Sequence, residues 1–85
     1  MGGESPSEND LLRIGELARE AGVSTQTVQY YCMIGLIEEN SRTRGGRRLF
    51  NRETIRKIRT IGRLNRSGYP LREIREMFLK RSTRP

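Results

Sequence analysis

"ELAREAGVSTQTVQYYCMIGL", residues 16–36, sets small and apolar positions around a glycine and follows them with a polar run. Ile14, Leu17, Ala18 and Ala21 fall at i, i+3, i+4 and i+7, one stripe of a helix. Gly22 ends the stripe, since its tolerance of positive φ suits a helix C-cap. Ser24 is placed to N-cap a second helix by accepting an orphan N–H, which Val23 could not do. At about 100° per residue, Val28, Tyr31, Cys32 and Gly35 share one face of that helix, and Gln26, Gln29, Tyr30 and Met33 share the opposite face. The small Ala18 allows close approach, Gly22 makes the sharp turn, and Leu17, Ala21, Val23, Val28 and Tyr31 fill the angle between the helices. The stretch predicts a helix-turn-helix, and the polar run is what the corner leaves outside.

Outward from the corner the pattern changes. "LIEEN" (36–40) and "RRLF" (47–50) carry strand-compatible apolar residues and are joined by "SRTRGG" (41–46). Both positions of Gly45–Gly46 tolerate φ > 0, so the segment predicts a two-stranded ribbon with a basic tip. Asn51 is expected to cap a third helix whose inner side is Ile55, Ile58, Ile61 and Leu64. Gly62 inside it costs about 1 kcal/mol relative to Ala. "SGYP" (67–70) breaks this helix, and Leu71, Ile74, Met77 and Phe78 stripe a short fourth one. Residues 1–11 are expected to be a disordered leader, 12–79 the domain and 80–85 a flexible tail.

Composition narrows the function classes. Eighty-five residues with 33% apolar side chains and no Trp make one domain with a small core, too small for a deep substrate pocket. One Cys and no His exclude a disulfide framework, a multi-cysteine metal site and the commonest catalytic base. The expectation is no catalytic residue, no metal and no cofactor. No long apolar run or signal peptide is present, and the reading is of a soluble intracellular protein. Net charge is +7, but residues 1–40 carry 2 basic and 7 acidic side chains, against 15 and 3 in residues 41–85. Arginine outnumbers lysine 15 to 2, and its planar fork suits phosphate oxygens and guanine edges. A one-sided field of this kind points to a polyanion partner rather than to solubility alone.

In a helix-turn-helix the second helix lies in the major groove with its N-terminal residues over base edges. Gln26 and Gln29 can each match adenine N6/N7 with an amide donor and acceptor. Ser24, Thr25 and Tyr30 bring hydroxyls to phosphate or bases, and Arg63 and Arg66 lie close to the "SGYP" turn. Cys32 and Tyr31 read as packing residues, as do Met77 and Phe78. Met33 reads as an exposed side chain, either an anchor against DNA or a partner or an incidental one, and Arg56, Lys57 and Arg59 as a solvated face. Glu16 and Glu20 are surface charges, because no apolar pocket surrounds them to raise a pKa.

"RIGELAREAGVSTQTVQYYCMIGLIEENSRTRGGRRLF" followed by "IRTIGRLNRSGYPLREI" resembles the DNA-binding domain of the MerR family of bacterial transcription regulators, over about residues 12–79. The resemblance implies a mainly α, winged helix-turn-helix fold of four helices plus a two-stranded β-ribbon wing. It implies DNA contacts at Arg19, Thr25, Gln26, Gln29, Tyr30, Arg48 and Tyr69, while Arg42, Arg44 and Arg47 follow from charge. It also implies a cytoplasmic, nucleoid-associated regulator that distorts promoter DNA as a dimer, with RNA polymerase an indirect partner. Gln29 stands where many members have Arg, and Arg47 where many have Tyr, so a different base preference is expected. Cys32 replaces a common acid and Pro70 a common Ser or Thr, proline being compatible with a helix start. After Phe78 only "LKRSTRP" follows, so this chain is expected to be a monomer, and a homodimer if a dimerisation helix follows. An excisionase-like architectural factor and a protein-interaction module are the alternative readings.

Overall fold

The computed structural model describes residues 10–82, so the expected leader falls almost wholly outside the described residues, as does the end of the expected tail. The chain runs β1 (Leu12–Arg13), α1 (Ile14–Ala21), α2 (Thr25–Met33), β2 (Ser41–Arg42), β3 (Arg48–Phe50), α3 (Glu53–Arg66) and α4 (Leu71–Ser82).

The corner between α1 and α2 forms as its residues dictate. Gly22 takes the left-handed conformation at φ 78°. Its N–H donates to Arg19 O at 3.2 Å and the next one, from Val23, to Ala18 O at 2.9 Å. These two bonds are the Schellman closure, and Val23 and Ala18 both pack on the core beside it. Ser24 Oγ then accepts the Thr27 N–H at 3.1 Å and starts α2. The same pair of bonds ends α2, from Gly35 to Cys32 O and from Leu36 to Tyr31 O. Gly35 therefore belongs to the cap of α2, not to its inner face as the periodicity suggested. The same pair of bonds also ends α3, from Gly68 to Asn65 O and from Tyr69 to Leu64 O.

Two strand expectations are corrected. Residues 36–40 form no strand: Leu36 and Ile37 are both buried, tucked under the end of α2 by bonds to Tyr31 O. Consecutive buried residues give no alternation, and the cap claims their N–H groups first. The sheet also has three strands, not two, in the order β1-β3-β2, all antiparallel. Leu12 pairs with Phe50 and Arg13 with Leu49. At the ribbon tip only Gly46 has positive φ, at 88°. Gly46 N–H closes on Thr43 O at 2.9 Å and Thr43 N–H on Arg47 O at 2.8 Å, the pattern of a three-residue hairpin loop with a glycine bulge.

Asn51 caps α3 from one residue further out than a formal N-cap, accepting from Thr54 N at 3.3 Å and Thr54 Oγ1 at 3.2 Å. This satisfies Thr54, which is buried. The core is Phe50, Leu17, Leu36, Ile58, Ile61, Ile74 and Val28, all essentially without solvent contact. α1 lies at its centre, touching α2, α3, β1 and β3, while α4 joins through α3. Phe78 packs against this cluster and Met77 is only half-buried at its edge. α4 continues to Ser82, past the expected boundary at 79. Among the described residues no helix is long and apolar enough to cross a membrane.

Candidate nucleic-acid interface

α2 divides as its periodicity predicts. Val28 and Tyr31 are buried, Tyr31 at 8% exposure, whereas Tyr30 next to it is 48% exposed and Met33 74%. Thr25, Gln26, Gln29 and Tyr30 all face solvent. Burial pushes the Tyr31 phenol pKa up, with Arg66 nearby opposing it. Arg66, at the end of α3, thus lies within electrostatic reach of the inner side of α2. Burial likewise pushes the Cys32 thiol up, opposed by Arg48 and assisted weakly by Glu39. Cys32 is half-buried and packs against the core, the packing role read from the sequence. Ser24 is engaged as the cap, its Oγ also 3.0 Å from Thr27 Oγ1, so its part in the site is to build the helix start. No acid occupies the first turn of α2, which leaves the positive end of its dipole uncompensated.

The wing presents its arginines along β2, the tip and β3. Arg42 and Arg48 are direct cross-strand partners. Arg44 lies in the tip loop and Arg47 beside it, its N–H held by Thr43 Oγ1 at 3.1 Å. Glu39 accepts from Arg42 Nε at 2.9 Å and lies 3.4 Å from Arg48 Nε. The Arg42 hydrogen bond is the main cause that holds the partly exposed Glu39 carboxyl below its ordinary pKa. A depressed carboxyl contributes its stability fully above the unfolded pKa and loses it as pH falls through the folded one.

Between α2 and the wing lies an open cleft of about 400 Å³ lined by Arg13, Ile14, Gln29, Arg42, Gly46, Arg47 and Arg48. It gathers one exposed α2 amide and three wing arginines from the predicted set. Arg13 is the residue that sequence reasoning missed. It comes from the acidic half of the chain, and only the pairing of β1 with β3 carries it to the wing. A two-residue strand has no periodicity by which it could have been found.

The α3–α4 connection supplies the remainder. Asn65 Nδ2 donates to Tyr69 O at 2.9 Å and fixes the loop, leaving the Tyr69 ring 43% exposed. Arg66 is exposed close to α2, whereas Arg63 lines a separate shallow cleft of about 550 Å³ with Arg52, Arg56 and Arg59. Arg59 is not merely a solvated charge, because its Nη2 donates to Glu20 O at 2.7 Å and ties the end of α1 to α3. Arg19 stands exposed on the last turn of α1. A larger cleft of about 980 Å³ lies between residues 35–38 and the α3 and α4 helices, and none of the candidate residues lines it. Lys57 closes part of it by sitting 5.2 Å from the centre of the Phe78 ring. Among the described residues no group of three or more His, Cys, Asp or Glu side chains could hold a metal ion.

Residues 12–80 match the family described as MerR HTH family regulatory protein. The mercuric resistance operon regulatory protein of Bacillus cereus is 40% identical over 66 residues, covering 78% of this chain and 50% of that protein. The transcription regulator PbrR691 of Ralstonia metallidurans CH34, solved in complex with lead(II), superposes with a TM-score of 0.75. It is 34% identical, and the match covers 84% of this chain and 56% of that one. HiNmlR, a MerR family regulator lacking the sensor domain and solved bound to promoter DNA, superposes with a TM-score of 0.71. At 22% identity, over 79% of this chain and 53% of that one, it shares the fold. The chain thus spans about half the length of these proteins.

Proposed function

The chain belongs to the MerR HTH family of regulatory proteins, and from that premise we propose that it is the DNA-binding part of a bacterial transcription regulator, reading double-stranded DNA in sequence. α2 enters the major groove with Gln26 and Gln29 over base edges, and Thr25 and Tyr30 beside them. Arg42, Arg44, Arg47 and Arg48 of the wing, joined by Arg13, take phosphates on one flank. Arg63, Arg66 and Tyr69 at the α3–α4 turn take them on the other, and Arg19 contacts the backbone near the corner. The observation that carries this reading is the cleft where Gln29 shares walls with Arg13, Arg42, Arg47 and Arg48. A donor–acceptor amide beside four guanidinium groups suits a base edge bordered by phosphate. In the same reading two copies engage two half-sites of a cytoplasmic promoter and distort it, with RNA polymerase the indirect beneficiary, and no catalysis is involved. Dimerisation of this chain alone is expected only on DNA, which sedimentation with and without a half-site duplex reads directly.

A salt series tests the central claim. Each neutralised phosphate contributes a slope of about −0.9 in log K against log salt on duplex DNA. Several arginines at work should therefore give a slope of several units by fluorescence anisotropy. A flat line would remove the DNA reading.

A further inference from the structure

Arg42 and Arg48 face each other directly across β2 and β3, an arrangement in which two like charges repel. Glu39, in the segment leading into β2, offsets that repulsion by bridging them. Its Oε2 takes Arg42 Nε at 2.9 Å and its Oε1 lies 3.4 Å from Arg48 Nε. Both guanidinium groups are engaged at Nε, which leaves their Nη donors for a second acceptor. Arg42 and Arg48 line the cleft that contains Gln29, whereas the Glu39 carboxylate that joins them does not. All three side chains are partly exposed, at 51%, 41% and 30%, so the bridge is screened and contributes little to folding. Its consequence lies in binding.

Resting on the DNA-binding reading above, we propose that Glu39 is a specificity-determining residue that stands in for a DNA phosphate between Arg42 and Arg48. Two opposed effects follow from one carboxylate. It lowers the local charge that any duplex meets, from two positive groups to a net single one, and so weakens backbone-only binding. It also holds two long side chains in the arrangement the cleft uses, which reduces the ordering entropy lost when they are fixed in a complete complex. A loosely held, non-cognate complex leaves those side chains mobile and gains nothing from the second effect. Discrimination between sequences therefore increases.

Glu39→Gln separates these effects. On a random duplex of about 20 base pairs it should bind on the order of three- to tenfold tighter, with the salt slope steeper by about 0.9. On the best sequence recovered by in vitro selection the change should be below about twofold, so the specificity ratio falls. Glu38→Gln removes the same charge from the neighbouring exposed residue and should leave the ratio unchanged. Equal behaviour of the two variants, or unchanged random-duplex binding by Glu39→Gln, overturns the proposal. In the free protein, the ¹⁵Nε–H resonances of Arg42 and Arg48 should shift on Glu39→Gln and not on Glu38→Gln, a readout independent of DNA. Unshifted resonances also overturn it, because the bridge would then not exist in solution. Failure of the DNA reading itself is recognised separately, by a wild-type chain that binds no duplex with a salt-dependent slope.

Discussion

Gln29 and Arg48 stand on the walls of one cleft, and their chemistry assigns them different work. An amide reads a base edge, so Gln29→Ala should cost about 1–3 kcal/mol on the preferred site, relax it at one or two positions and change random-duplex binding little. A guanidinium on phosphate carries no sequence information, so Arg48→Ala should weaken all duplexes alike and reduce the salt slope by about 1. Competition binding against a panel of single-base variants measures both. Proportional losses of specific and random binding in the two variants would refute the division of roles. At Gly22 the argument concerns backbone alone. A Cβ there would meet nothing within 4 Å, yet φ is 78°, so strain and not crowding decides. Gly22→Ala should lose about 1–2 kcal/mol in urea unfolding.

α2 depends on a cap that sequence reasoning had also assigned to DNA. Ser24 Oγ accepts the Thr27 N–H, and Ser24→Ala should cost about 1 kcal/mol of stability. Ser24→Asp keeps a capping oxygen and favours the helix dipole, so stability should return to the wild-type level. The added negative charge at the end of the helix proposed to enter the groove should nevertheless weaken duplex binding. Wild-type affinity in a stably folded Ser24→Asp protein would mean that this end of α2 does not approach phosphate. For the wing, the turn residues were legible because Gly and basic residues mark a hairpin tip. The strand limits were not, because Leu36 and Ile37 are buried by the α2 cap and not by a ladder.

Across the whole molecule, one small core holds the helices and the β1–β3 pair, and β2 with Arg42 is carried on β3 by strand pairing. Phe50 ends β3 and is fully buried, pairing with Leu12 across the sheet. Phe50→Ala should cost about 3–5 kcal/mol, a large part of the roughly 5–15 kcal/mol available to a domain. Thermal unfolding followed by circular dichroism should show a strongly lowered or lost transition. Arg59 makes a milder case: Arg59→Ala removes the donor to Glu20 O, and should cost about 0.5–3 kcal/mol without altering base preference. A change in base preference would place Arg59 at the DNA instead.

What the sequence determined by itself was local: the 3.6-residue stripes of the four helices, the glycine and serine that turn the corner, and the separation of Tyr30 from Tyr31. These follow from rules that act within one or two turns, such as capping, periodicity and backbone strain. The basic character of the second half was equally plain, since charge needs no fold to be counted. The tertiary structure alone decided which charges meet. Pairing of Arg13 with Leu49, the extension of the local Glu39–Arg42 pair to Arg48, and the reach of Arg59 to Glu20 O each depend on where distant elements come to rest. Contacts of that kind leave no period in the chain, because their partners are set by the packing of the common core.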